Sequence, residues 1–563
     1  MPRTKPTYPD NIFGGLEKPS SGLKYSLKCN QGVRHYDTVR LQSNGNGGLE
    51  LNLTVFSDSK MPVLSVEVVW SADDWQSRTT AKLERKKQQW QTIGWKWRVD
   101  WSLTIPVQEG QVIRYYVYAC LADGSLVYAE NQSQTESEAT QFAQWIKKEH
   151  LPPAWSKDAR IYQVFVDRFS PGEGKAWLQK ADLSKPFGGT LRGVTEKLHY
   201  IQNLGFNTIW LSPIFSSPSH HGYDSSDYFE IEPRIGTLED FKQLVNEVKA
   251  RGMRLILDFV ANHCSDQHPC FISSRNNQDD SHQSWIKWIK WPQKYDSFYN
   301  VPSMPKFNLR YGSPARKYLF EVAQYWLKLG VDGYRLDYAN GPDRDFWVDF
   351  QRACLEINPE CWTFGEVVAP VDEQAHYAGS MNGTLDFLSC QILREVFALR
   401  THSAGELTAY LVSVRNGFPS GFSQPTFIDN HDMNRFFFAA EENLESLHAA
   451  LKLLYLLPEA PIVYQGTELP LSQKKSIHDK EAIGFDEARL PMTWQQPLNT
   501  PTAALLGQLA SFREKNAWLT EASWSLISTS RQGDFAELRL AAGDHELRVK
   551  ILVNDHECDI TWG

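Results

Sequence analysis

Four short segments of this chain end in side chains that can attack carbon or move a proton. They are LILDFVANH at 255–263, GVDGYRLDYANG at 330–341, WTFGEVV at 362–368 and TFIDNHDMNR at 426–435. Arg335 and Asp337 stand two positions apart, so on a strand their side chains point the same way. An Arg beside an Asp favours the ionised carboxylate that a nucleophile requires. Glu366 ends the next segment and is placed to face Asp337 as a general acid, and His431-Asp432 adds a hydrogen-bonding pair. Two carboxyls about 5–5.5 Å apart, one attacking and one donating a proton, cleave a glycosidic bond with retention. A single Asp at a strand end would pass for a structural acid, but four matching segments in order do not.

Each segment opens as an apolar or β-branched run, which is how buried parallel strands read, and reactive residues of a (β/α)8 barrel sit where such runs end. From about residue 155 the chain alternates short apolar strands, such as IYQVFVDRF at 161–169, FNTIWLSPIF at 206–215 and MRLILDFV at 253–260, with amphipathic stretches such as LEDFKQLVNEVKARG at 238–252. The alternation runs on to APIVYQ at 460–465. About eight strands of this kind predict a closed α/β barrel over 155–515. The long loop after its third strand, 264–310, reads as a subdomain.

Residues 1–140 alternate apolar and polar positions (LELNLTVF, LSVEVVW, VIRYYVYACL), which predicts an N-terminal antiparallel β-sandwich. Trp70, Trp75, Trp90, Trp95, Trp97 and Trp101 lie there, as core or as a sugar-stacking face. A polar stretch at 131–140 is expected to lead into a helix, and Pro152-Pro153 to open the barrel. Alternation returns in SWSLIST, FAELRLA and ELRVKILV, so 516–563 reads as a small C-terminal β domain.

The net charge of −9 argues against a nucleic-acid partner, and no apolar run is long enough to cross a membrane. The first residues, MPRTKPTYPDN, lack the apolar core of a secretory signal, and eight scattered Cys suit a reducing cytoplasm. His263, Cys264, His268 and Cys270 share one loop, but their spacing matches no common zinc pattern.

Taken together, the four segments resemble the signature segments of the α-amylase family of glycoside hydrolases, in the same order, within a resemblance covering about 155–515. The resemblance implies Asp337 as nucleophile, Glu366 as general acid/base and Asp432 as the third acid, which clamps sugar hydroxyls. It implies Arg335 as partner of the nucleophile, His263 and His431 as hydrogen-bonding the sugar, and Asp258 and Asn262 as shaping the site. HHGYDSSDYF at 220–229 is similar to the family's second-strand loop, which makes Tyr223 a sugar-stacking ring and His221 a hydroxyl ligand. Tyr162 looks like a first-strand Tyr lining the same pocket. MPKFN at 304–308 is similar to a segment of neopullulanases and cyclomaltodextrinases, whereas Gly341 and Val367-Val368 depart from their pattern.

The function implied is retaining hydrolysis of α-1,4-glucosidic bonds in α-glucans or maltooligosaccharides. Transglycosylation by the same intermediate, or an inactive binding scaffold, are the alternatives. No cofactor is required; calcium is the metal to test, because Asn262 matches a calcium ligand of many relatives. A homodimer using the N-terminal domain is compatible with the resemblance.

Overall fold

The computed structural model describes residues 33–34, 40–43, 49–57, 63–91, 96–131, 133–147, 150–179, 181–415, 417–495, 498–554 and 557–563. Trp95 and the first 32 residues, with their expected lack of a signal, lie outside the described residues, as do the side chains of Trp90 and Trp97.

Parallel strands at Ile161–Val164, Thr208–Leu211, Arg254–Val260, Gly333–Asp337, Trp362–Gly365, Gly383–Thr384 and Ile462–Tyr464 form one sheet. Residues 423–426 close it. Thr384 donates its N–H to the Ser423 carbonyl at 3.0 Å, and Thr426 donates to Ala460 at 3.0 Å while accepting from Ile462 at 2.8 Å. The result is the (β/α)8 barrel.

Two packed cores separate along these strands by the two-residue period of a strand. Ile161, Trp210, Ile256, Phe364, Phe427 and Ile462 pack inside the barrel. Their strand neighbours Tyr162, Ile209, Leu255 and Leu257 pack outward against the helices. The helices are punctuated as their sequences dictate. Leu238–Ala250, for example, starts at Thr237, whose hydroxyl accepts from Asp240 N while the Asp240 carboxylate accepts from Thr237 N.

The N-terminal region forms two antiparallel sheets, each of five strands. Val99, Trp101 and Ile105 of one sheet pack against Val66, Val68, Ile113 and Val117 of the other. Trp101 is thus core. The expected helix after 140 is instead a strand, Phe142–Trp145, paired with Val112 to Tyr115. Phe142 and Ala143 are both buried there, and an edge of the sheet was open to receive the segment. This face docks on the barrel through a buried charge cluster. Arg114 reaches Asp345 at 2.5 Å and Asp349 at 2.8 Å, and Arg316 reaches the same two carboxylates at 2.5 Å each. A four-stranded antiparallel sheet, Ser523–Thr529 to Cys558–Trp562, ends the chain.

Candidate active site

The signature side chains gather at the carboxyl ends of adjacent barrel strands, organised around one guanidinium. Register sets the arrangement: Asp258 lies opposite Arg335 and Val260 opposite Asp337. Arg335, fully buried, places Nη1 at 2.7 Å from Asp258 Oδ1 and 2.8 Å from Asp337 Oδ1, and Nη2 at 2.9 Å from Glu366 Oε1. The planar fork therefore fixes nucleophile and acid on adjacent nitrogens. The second Glu366 oxygen accepts from Tyr338 N at 3.0 Å. That amide is aimed by a left-handed backbone at Tyr338 (φ 41°), a conformation uncommon for a side-chain-bearing residue and typical of functional sites.

One guanidinium cannot neutralise three carboxylates. Burial is the largest influence on Asp337 and pushes its carboxyl well above the usual range; Arg335 pulls it down, while Glu366 and Asp258 push it further up. This corrects the simple expectation that Arg335 by itself keeps Asp337 ionised. Asp337, buried and sharing Arg335 with two other carboxyls, therefore holds its proton more readily than an isolated aspartate.

Asp432 has the opposite environment. Burial would raise its carboxyl, but His431 and then Arg489 outweigh it and hold Asp432 well below the carboxylate range. His431 Nε2 lies 3.0 Å from Asp432 Oδ2, and Arg489 Nη2 lies 2.6 Å from Oδ1. Gln163 donates to His431 Nδ1 at 2.7 Å, which leaves Nε2 carrying the hydrogen toward Asp432 and the Tyr223 hydroxyl, 2.5 Å away. Tyr223 in turn donates to Asp258 Oδ2 at 3.0 Å and stacks on His431, ring centres 5.3 Å apart and planes at 3°.

His263 sits beneath this wall, its Nε2 donating to the Tyr223 carbonyl at 3.0 Å and its ring stacked on Phe298 at 4.5 Å. Burial pushes its imidazole down to about 4. His221, whose Nδ1 accepts from Tyr223 N at 3.1 Å, is pushed down to about 3 by burial and by Arg489. Both imidazoles are therefore neutral near pH 7, suited to accept or donate single hydrogen bonds to hydroxyls.

With this geometry in place, the comparisons with known proteins are decisive. The chain matches the α-amylase catalytic domain over residues 163–522. It belongs to the α-amylase family. It is 34% identical to alpha-amylase 2 of Dictyoglomus thermophilum over 489 residues, 86% of this chain and 82% of that protein. It is 30% identical to neopullulanase 2 of Thermoactinomyces vulgaris over 416 residues, 70% and 69% of the two chains. Among solved structures, cyclic α-maltosyl-(1→6)-maltose hydrolase from Arthrobacter globiformis superposes with a TM-score of 0.65 at 26% identity, covering 73% of this chain and 97% of that one. A cyclomaltodextrinase matches 92% of this chain and 91% of its own with a TM-score of 0.67; at 21% identity it bears on the fold alone. The chain is thus a glycosidase of the α-amylase family.

The structure brings together Asp337, Glu366, Asp432, Arg335, His431, His263, Tyr223, His221 and Asp258. Tyr162 is placed elsewhere. Ile161 and Gln163 point into the barrel, so the intervening Tyr162 points outward, fully buried, with its hydroxyl 2.6 Å from Glu468 Oε1. Asn262, the residue matched to a calcium ligand, is packed against its neighbours. Its amide lies 3.2 Å from His263 Nδ1, and its Oδ1 faces the Gly341 backbone closely enough that a Cβ there would come within 2.3 Å. Calcium takes six to eight oxygens, and among the described residues no converging group of carboxylates surrounds Asn262. No step below uses the ion.

Three participants escaped the sequence. Gln163 orients His431, and Trp210 Nε1 donates to Asp258 Oδ2 at 3.2 Å. Arg489 binds Asp432, the His431 carbonyl at 3.0 Å and Asp486 at 3.3 Å. Trp210 and Gln163 lie on strands covered on both faces, which give no contrast between inward and outward positions, and Arg489 comes from the irregular segment after the last barrel strand.

Proposed function

We propose that this chain is a retaining hydrolase of α-1,4-glucosidic bonds in α-glucans and maltooligosaccharides. The observation that supports it is the single Arg335 guanidinium binding Asp337 and Glu366 together at one barrel rim, with Asp432 held anionic beside them. Asp337 attacks the anomeric carbon as Glu366 gives its proton to the departing glycosidic oxygen. The resulting glycosyl ester on Asp337 is then hydrolysed by a water that Glu366 deprotonates. Attack requires Asp337 ionised and Glu366 carrying the proton, and Arg335, 2.8 Å from Asp337, pulls that carboxyl toward its ionised form. Asp432, with no proton to give, accepts hydrogen bonds from sugar hydroxyls, and His431 and His263 complete the ring of polar contacts. Tyr223 supplies the apolar face.

Transfer to a sugar acceptor in place of water has a specific feature in its favour. Phe298, Tyr299 and Tyr338 form an aromatic group, ring centres 4.7–5.5 Å apart, at the loop that carries the Glu366-binding amide. Such rings favour a sugar over water. The seven cysteines among the described residues are all free, which supports a reducing, cytoplasmic setting.

Asp337→Asn tests the assignment. Turnover of maltoheptaose should fall by at least about 10⁴-fold with an unchanged circular dichroism spectrum. Proton NMR of early wild-type products should show the α-anomer. Retained turnover in the variant, or an initial β-anomer, would falsify the mechanism; chain-extended products would favour transfer.

A further inference from the structure

One residue beyond His263, a second constellation lies apart from the carboxylates. Cys264 follows the third barrel strand, and His268 and Cys270 straddle the start of the helix Pro269–Asn276. Their spacing in sequence fits no common zinc motif, yet the fold draws them together. The two sulfurs and a ring nitrogen of His268 all lie within 4.8 Å of one another, and all three residues are buried. Zinc sits about 2.3 Å from thiolate sulfur and about 2.0–2.1 Å from imidazole nitrogen, which places tetrahedral ligand atoms roughly 3.5–3.8 Å apart. Small side-chain adjustments close that gap.

Both ring nitrogens of His268 have partners in the fold: Nδ1 accepts from Cys270 N at 3.2 Å and Nε2 faces the Tyr318 hydroxyl at 3.3 Å. Ligation through Nδ1 therefore exchanges the Cys270 N–H for the metal and leaves Tyr318 on the second nitrogen. An outer partner on the second nitrogen is how ligating histidines are held. The Pro305 carbonyl, 3.9 Å from Cys264 Sγ, is the nearby oxygen for a fourth position. A buried thiol often serves only as a small apolar side chain. The pair Cys354 and Cys361 fits that description, because the thiols meet each other and no imidazole joins them among the described groups.

We propose that Cys264, His268 and Cys270 form a structural site for a thiophilic divalent cation, zinc foremost, which pins the root of the loop 264–310 to the barrel. Binding displaces the two thiol protons to solvent and involves no change of oxidation state. The site is independent of the glycosidase reaction and contributes no carboxylate to it.

The test is the metal content of the full-length chain, purified without a polyhistidine tag from zinc-supplemented cells and passed through metal-free buffer. Wild type should carry about one zinc per chain. The Cys264→Ser/Cys270→Ser double variant should carry less than about a tenth of that, and Cys354→Ser should keep it. Cd²⁺ titrated into chelator-stripped wild type should give the ultraviolet thiolate-to-metal charge-transfer band at one equivalent. Because this titration uses the native chain, it decides the matter even if the double variant misfolds. Absence of both bound zinc and the cadmium band, or recovery of Cys264 and Cys270 as a disulfide in freshly purified protein, overturns the proposal.

Discussion

Replacing Arg489 with Met removes a residue outside the four signature segments, and its effect can be worked from the contacts. Arg489 gives Asp432 Oδ1 a charge-assisted bond of 2.6 Å and holds the His431 carbonyl at 3.0 Å, from a position only 6% exposed. Asp432 retains its other partner, His431 Nε2 at 3.0 Å. Removing one member of a buried ion pair typically costs about 3–5 kcal/mol. Part of that falls on folding and part on the transition state, where Asp432 must keep its charge and direction. Loss of one preorganised polar contact is worth about 2.7 kcal/mol, so kcat/KM on maltoheptaose should drop about 100-fold.

The pH profile separates this from general damage. With Arg489 absent, burial of Asp432 is opposed mainly by His431, so its carboxyl rises and the acid limb of kcat/KM shifts to higher pH. The same sign governs stability. A carboxylate depressed in the folded state stabilises the protein above its unfolded value of about 3.9, and that contribution is lost as pH falls through the folded value. In Arg489→Met it shrinks. Arg489→Lys restores a charge without the fork and should recover only part of the rate. If Arg489→Met kept kcat/KM within about threefold of wild type and an unmoved acid limb while remaining folded, Arg489 would be shown to have no hold on Asp432.

Tyr162→Phe should cost about 1–3 kcal/mol in urea unfolding, because buried Glu468 loses a hydroxyl donor at 2.6 Å; kcat and KM should stay within about twofold, and a large KM increase would return Tyr162 to the sugar pocket. His263, pushed down to about 4 by burial, should make the protein less stable on acidification. The unfolded imidazole takes up protons from about pH 6.5 while the folded one does not until about 4, a loss of about 3 kcal/mol across that window. His263→Gln should flatten the fall measured by urea titration at pH 7 and pH 4.5, and an equally steep fall would assign the effect to other groups. Gly341→Ala would bring a Cβ to 2.3 Å from Asn262 Oδ1, so about 1–3 kcal/mol of strain should appear as a lower Tm with impaired turnover. Gly405→Ala, whose nearest neighbour is 3.7 Å away, is the tolerant control.

Strand ends were the most legible part of the chain. Asp258, Arg335, Asp337 and Glu366 follow apolar runs, and a period of two sends Arg335 and Asp337 the same way whatever surrounds them. The barrel, with sheets on either side in sequence, followed from the alternation of runs and amphipathic stretches. Inside a barrel strand the same logic weakens, because strands covered on both faces are apolar throughout and give no contrast between inward and outward positions. IYQVFV illustrates the loss: only the packed structure shows that Gln163 reaches His431 while Tyr162 meets the helices. The segment Phe142–Trp145 failed for a related reason, since four residues hold too little period to distinguish strand from helix.

Long-range electrostatics were beyond any local pattern. The protonation of Asp337 depends on how many carboxylates share Arg335, and Asp258, Asp337 and Glu366 come from three different strands. Charge balance across the rim divides the acids into two kinds. One group shares a single guanidinium among three carboxyls, and burial with the neighbouring acids pushes Asp337 up. The other, Asp432, meets a guanidinium at 2.6 Å and an imidazole at 3.0 Å and stays ionised. A reaction that needs one attacking carboxylate, one proton donor and one permanently charged clamp needs both environments side by side. The contacts of Arg335 and Arg489 create that division, so exchanging cations between the two carboxyl groups should be far more damaging than exchanging any residue that merely lines the pocket.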